Sequence, residues 1–196
     1  MDYRNRIIAA YKDQATKRGF ARVTMDDLVN MTGISKRTIY RYFSSKDEIV
    51  EAVVVEFINS LNQKIETAMD STATPIEQIL KLITVLTGNI KLVEPLFLYD
   101  LHKYYPHLWE KIERFRAEKI QQVFERFIAS DDQACFQETN PKILTTALLA
   151  SIRAVVNPAF VIENQLHIED TIQSLFNIFL YGIVKRDSGD NGDGPH

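Results

Sequence analysis

The sequence holds a single cysteine, Cys135, in 196 residues. That excludes an internal disulfide framework and fits a reducing compartment, where such a residue serves as a small apolar space-filler. Histidine is scarce as well. His102, His107, His167 and His196 include no i, i+4 pair, and His102 and His107 stand across a proline, so no metal-binding pair forms on a helix. A Gly-rich phosphate loop, a nucleophile elbow and a Cys–His pairing are all missing, which argues against an enzyme and against any cofactor. No apolar stretch reaches the ~18 residues of a membrane span, and no apolar run follows a basic N-terminal start. The expectation is a cytoplasmic chain with no membrane partner. Strand-like alternation of Val and Ile is also missing, leaving an all-α reading.

Acidic charge dominates overall, with a net charge of −3, which by itself speaks against a nucleic-acid binder. Its distribution speaks for one. Residues 1–50 hold 10 Lys+Arg against 6 Asp+Glu, whereas residues 51–196 hold 13 against 20. A basic head on an acidic body focuses phosphate attraction on one end.

The stretch from Thr24 to Lys46 explains the basic head. Thr24 has an acid three places on, Asp27, the signature of a capping box. Met25, Leu28, Val29 and Met31 follow at helical spacing, and Thr32-Gly33 breaks the run, glycine suiting the backbone angle of a helix exit. Ser35 restarts it as an N-cap. Ile39 and Phe43, four apart, turn inward. Lys36, Arg37, Thr38, Tyr40, Arg41 and Tyr42 are left for the other faces. No acid occurs between Asp27 and Asp47, unlike an ordinary surface helix. Arg and Lys neutralise phosphates, Arg can also fork onto guanine edges, and Tyr and Thr hydroxyls bond phosphate oxygens. The candidate DNA-binding residues are therefore Thr24, Ser35, Lys36, Arg37, Thr38, Tyr40, Arg41, Tyr42 and Lys46. A merely solvated basic hairpin would be the plainer reading, but the order cap, helix, glycine turn, cap, helix favours a DNA-reading helix-turn-helix.

These residues carry a resemblance. Ile7-Ile-Ala-Ala10, Gly19-Phe20, Val23-Thr-Met-Asp-Asp-Leu28, Thr32-Gly-Ile-Ser-Lys36, Thr38-Ile-Tyr-Arg-Tyr-Phe43 and Ser45-Lys-Asp-Glu48 resemble the N-terminal domain of the TetR (tetracycline-repressor-like) family of transcriptional regulators. The resemblance spans about a quarter of the chain. It departs from the family at Arg37, where many members carry a glycine. It implies a three-helix DNA-binding head over residues 1–46 and a helical ligand-binding and dimerisation body over residues 47–186. A Ser/Gly/Asp-rich tail, residues 187–196, reads as disordered.

Along the chain, residues 2–18 read as a first helix with the stripe Ile7, Ile8, Tyr11 and Ala15, and the head core as Ile7, Ile8, Phe20, Leu28, Val29, Ile34, Ile39 and Phe43. Ser45 to Glu48 is a second capping box, opening a long helix to Met69, with Lys46 a candidate phosphate contact at its start. Thr74-Pro75 starts another helix, interrupted at Gly88-Asn89. Pro106 opens an amphipathic helix whose charged residues Glu110, Lys111, Glu113, Arg114, Arg116, Glu118 and Lys119 read as a solvated face. Residues 129–139 read as a polar loop. A helix from Asn140-Pro141 to about Val156 meets a break at Asn157-Pro158, and a last helix from about Ile168 to Val184 is apolar on more than one face. Those two are the expected homodimer surface, near 142–156 and 168–184, as four helices about a two-fold axis.

For a ligand the candidates are Asn89, Phe97, His102, Tyr104, Tyr105, Trp109, Phe124 and Asn157, aromatic and polar groups on otherwise apolar segments. Aromatics at helical spacing are more often core, and the competing reading is core packing. The resemblance implies a repressor released from a palindromic operator by a small, hydrophobic effector. The alternative is a ligand- or protein-binding helical module without operator binding.

Overall fold

The computed structural model of the protein describes residues 2–69, 75–90, 95–129 and 140–183. Cys135, the loop around Asp131-Asp132 and the tail from 187 lie outside the described residues. Ten helices are present among the described residues: α1 (Tyr3–Arg18), α2 (Met25–Thr32), α3 (Lys36–Tyr42), α4 (Lys46–Met69), α5 (Pro75–Ile90), α6 (Pro95–Tyr104), α7 (Pro106–Ala129), α8 (Pro141–Val155), α9 (Pro158–Glu163) and α10 (Ile168–Ile183). The fold is all-α, as the sequence implies.

Local chemistry sets the boundaries. Asp2 caps α1 by accepting from Asn5 N at 3.1 Å. Thr24 and Asp27 form both halves of the capping box on α2. Gly33 closes α2 at φ 66°, a left-handed angle that glycine adopts without a Cβ penalty. The box on α4 is shifted by one residue from expectation. Ser45 accepts from Glu48 N at 3.2 Å, but the Glu48 carboxylate reaches back to Ser44, accepting from its N at 2.6 Å and its Oγ at 2.7 Å. Those bonds hold Glu48 below the usual carboxylate range.

Two expectations need correction, at Gly88-Asn89 and at Met31. Gly88-Asn89 does not interrupt the fifth helix, which runs on to Ile90. A Cβ at Gly88 would meet nothing within 4 Å, so the glycine merely weakens an exposed stretch of helix. Asn157-Pro158 does end α8, but it also starts α9, with Asn157 as N-cap accepting from Phe160 N at 2.9 Å and Pro158 in the first turn. Met31, placed in the apolar spacing of α2, is exposed.

The head core contains Ile7, Ile8, Phe20, Leu28, Ile34, Ile39 and Phe43 as buried residues, with Val29 partly buried against them. A head this small buries too little apolar surface to stand alone. The same buried cluster continues through Ile49, Val50, Val53 and Val54 of α4 into Phe97, Leu101, Tyr105, Leu108 and Ile112 of α6 and α7. Phe20 and Phe97 bring their ring centroids within 4.3 Å, and Tyr105 meets Phe20 edge-on at 6.1 Å.

Around that aromatic contact the loop from Gly19 to Arg22 is tied by three side chains from three helices. Tyr11 donates its hydroxyl to Phe20 O at 3.0 Å, Lys46 Nζ donates to Ala21 O at 3.1 Å, and the buried Asp100 accepts from Ala21 N at 2.8 Å. Burial, with acidic neighbours assisting, pushes the Tyr11 hydroxyl far above its ordinary range, and pushes Tyr105 up to about 12. Both therefore remain neutral donors at any working pH. Asp100→Ala is expected to leave Ala21 N without an acceptor and to cost about 1–3 kcal/mol. A urea unfolding midpoint unchanged from the wild type would show that the bond contributes nothing.

Candidate DNA-binding face and ligand cavity

The turn between α2 and α3 is held from inside the head. Thr32 is buried, donates its hydroxyl to Leu28 O at 2.6 Å and accepts from Ile34 N at 3.2 Å. Arg6 of α1 donates to Thr32 O at 2.8 Å, so the first helix fixes the turn that aims α3. Ser35 caps α3, accepting from Thr38 N at 3.2 Å, and its hydroxyl lies 3.0 Å from that of Thr38. Ile39 and Phe43 are wholly buried. One side of α3 is thus fixed in the core and the other is left to solvent.

That outer side carries the expected residues. Arg37, Tyr40, Arg41 and Tyr42 are all exposed. Arg37 has no hydrogen-bond or ion-pair partner among the described residues. Arg41 lies 5.5 Å over the Tyr42 ring, and Tyr42 leans on Tyr3 of α1 at 6.1 Å. Lys36 pairs with Asp26 at 2.7 Å, a contact that raises its pKa. This pair is exposed, so an incoming phosphate can compete for the lysine at small cost. Thr24 is engaged with Asp27 through both its N and its hydroxyl, at 2.8 and 2.9 Å. Lys46 differs from the others. It is half-buried, burial lowers its pKa, and its ammonium rests on Ala21 O. In this arrangement it fixes the loop beneath the helix-turn-helix.

The body holds an apolar cavity of about 170 Å³. Phe57 and Leu61 of α4, Leu98 of α6, Trp109 and Phe115 of α7, Ile152 of α8 and Phe176 of α10 are among its walls. Of the ligand candidates, Trp109 lines it. Phe97 and Tyr105 do not; they belong to the joint with the head. His102 is exposed and meets Trp109 edge-on at 5.2 Å. Tyr104 is exposed with Lys103 over its ring at 5.2 Å. Asn157 is spent capping α9 and donating to Ala154 O at 2.7 Å. The side chains of Asn89 and Phe124 lie outside the described ones.

Two cavity residues escape the sequence reading. Arg116 and Lys119, assigned to a solvated face, line the cavity instead. Arg116 pairs with Glu113 at 3.1 Å and Lys119 with Glu66 at 2.6 Å. The signal was in the periodicity: Trp109, Ile112, Arg116, Ile120 and Val123 fall on one stripe of α7, and Arg116 occupies a position where the stripe expects an apolar residue.

These features define a helix-turn-helix DNA-binding head that shares one buried cluster with a helical body holding an apolar cavity. Among the described residues there is no group of side chains suited to a metal ion and no helix long and apolar enough to cross a membrane. Comparison with known proteins agrees with the head. Residues 7–53 match the family model for bacterial regulatory proteins, tetR family. The HTH-type transcriptional regulator YvaF of Bacillus subtilis (strain 168) is 27% identical over 186 residues, covering 94% of this chain and 97% of that one. The HTH-type transcriptional repressor KstR2 of Mycobacterium tuberculosis is 32% identical over 63 residues, 32% of each chain. Among solved structures, a transcriptional regulator from Saccharomonospora viridis in complex with choline has a TM-score of 0.64 at 19% identity, over 93% of this chain and 98% of that one. Through this head the chain is a TetR-type, DNA-binding helix-turn-helix transcriptional regulator.

Arg41→Ala and Arg37→Ala are expected to weaken binding to a selected duplex by about tenfold each and to relax its sequence preference. Lys46→Ala should weaken all duplexes alike and lower the unfolding midpoint. Competition binding on cognate and scrambled duplexes separates the two behaviours.

Proposed function

We propose that the protein is a homodimeric repressor that leaves a palindromic operator when a small apolar ligand enters the body. The observation that carries this reading is the joint occupation of α6. Its Leu98 lines the cavity, while its neighbour Phe97 packs on Phe20 of the head. Phe57 of α4 also lines the cavity and lies 6.5 Å from the Phe97 ring. A ligand that moves these walls therefore pushes directly on the head.

Support for the dimer comes from apolar residues that the chain leaves uncovered. Ile143 of α8 and Ile178 and Tyr181 of α10 are 66%, 69% and 77% exposed. A second copy related by a two-fold axis would cover them with the same helices and set the two α3 helices side by side. Operator reading then requires half-sites about 34–36 Å apart. Repression is the reading favoured by the likeness of the head to KstR2. The choline complex of the S. viridis regulator supports an effector in a body of this fold. Such a regulator works beside its operator, in the cytoplasm.

The mechanism is a shift between two populations. Ligand binding favours the body arrangement in which the heads no longer match the duplex, and only through its differential affinity for the two arrangements.

The test selects duplexes from a random pool with purified protein and then adds ligands to the winner. A palindromic consensus, steep salt dependence and a two-chain mass in solution are expected. Trp109 is the single tryptophan and lines the cavity, so a ligand that releases the duplex should also change tryptophan fluorescence at the same concentration. Release without any change in that signal would place the effector elsewhere.

A further inference from the structure

We propose that the cavity takes an apolar molecule ending in a single carboxylate, with Arg116 as the group that holds the carboxylate. This rests on the cavity reading above and adds the chemical class of its occupant.

The walls are almost wholly hydrocarbon, apart from two cations on one face of α7. Arg116 and Lys119, one turn apart, both line the cavity. The Arg116 guanidinium is only partly satisfied. Its Nη2 pairs with Glu113 at 3.1 Å, while its Nη1 is shut off from solvent and has no hydrogen-bond partner among the described residues. A buried guanidinium N–H without an acceptor is costly, and a carboxylate oxygen meets that demand with a charge-assisted bond. Glu113 does not neutralise Arg116 fully, because its other oxygen also faces Arg153 Nε at 3.5 Å. Lys119 is matched by Glu66 at 2.6 Å and Gln122 at 2.9 Å. The uncompensated charge on this wall is therefore small and positive, suited to a monoanion. A cationic head would meet both α7 cations in a medium that screens poorly. Size points to a compact tail, since about 170 Å³ is slightly more than the roughly 150 Å³ void that takes a benzene ring dry.

Three probes of equal tail length test this on the full-length protein: octanoate, 1-octanol and octyltrimethylammonium, titrated against Trp109 fluorescence. Octanoate is expected to bind about tenfold or more tighter than octanol, and octyltrimethylammonium weakest of the three. In Arg116→Gln the advantage of octanoate over octanol should vanish while octanol affinity stays unchanged. Should that variant misfold by circular dichroism, the uncharged Arg116→Met replaces it with the same expected loss of preference, and the wild-type series alone still decides the carboxylate class. Equal binding of octanoate and octanol, or preference for the cation, would overturn the carboxylate assignment and leave the apolar cavity reading in place. An octanoate preference that survives in Arg116→Gln would overturn the role of Arg116. No fluorescence response to any probe would overturn the cavity reading and this proposal with it.

Discussion

The contact of Phe20 with Phe97, framed by the hydrogen bonds to the loop between α1 and α2, is what makes the helix-turn-helix usable. A head of three short helices cannot bury enough surface to be rigid, and its recognition helix spans only seven residues, Lys36–Tyr42. Rigidity comes from the body. The Phe20 ring enters a cluster built by α4, α6 and α7, and Asp100 fixes the backbone beside it. Two polar groups inside this joint, the Tyr11 and Tyr105 hydroxyls, are held neutral by burial. The joint therefore avoids the desolvation cost of an ionised group while still directing the loop.

The polar members of the joint also fix its direction. Dispersion between rings would tolerate some sliding, but Ala21 is gripped from both sides, its N by Asp100 of α6 and its O by Lys46 of α4. A loop held at both backbone groups cannot rotate without breaking one of them. The head accordingly follows α4 and α6 as a unit. Arg6 extends the same logic to the reading side by pinning the carbonyl at the turn before α3.

Much of this was legible before any coordinates. The caps at Thr24 and Ser35, the glycine turn and the inward pair Ile39 and Phe43 are local chemistry, and local chemistry is written in adjacent residues. What the sequence hid is where distant segments meet. Phe97 and Tyr105 look like pocket aromatics from composition, yet they brace a loop some 80 positions away in the chain, a partnership no periodicity encodes. Arg116 and Lys119 were hidden for a different reason. Charge normally predicts solvent, and only the angular position of Arg116 on α7 argues otherwise. Asn157 illustrates a third confusion, since a polar residue on an apolar segment can be a cap as easily as a ligand contact.

The placement of the cavity gives the fold its capacity to respond. A cation such as Arg116 in an apolar wall, even with Glu113 paired beside it, is weak evidence for stability, since well-packed hydrocarbon of the same volume often does as well or better. Its presence among cavity residues is more readily understood as service to an occupant. The same cavity touches α4, whose 24 residues span about 36 Å, together with α8 and α10, whose outer faces carry the uncovered apolar residues. A ligand in the proposed site would thus contact the lever that ends at the head and the helices proposed to join two copies. Its leverage is bounded by thermodynamics: equal affinity for both arrangements would move nothing, and a complete switch needs a difference of several kcal/mol, about 5.5 for a shift from 1:99 to 99:1. Hydrocarbon walls alone discriminate poorly between two similar shapes of cavity. A charge whose partner must sit within hydrogen-bond reach discriminates sharply, because displacement of an ångström or two forfeits the bond. A cation in the wall of an otherwise greasy chamber would therefore supply the distance-sensitive contact that the proposed ligand-driven repression requires.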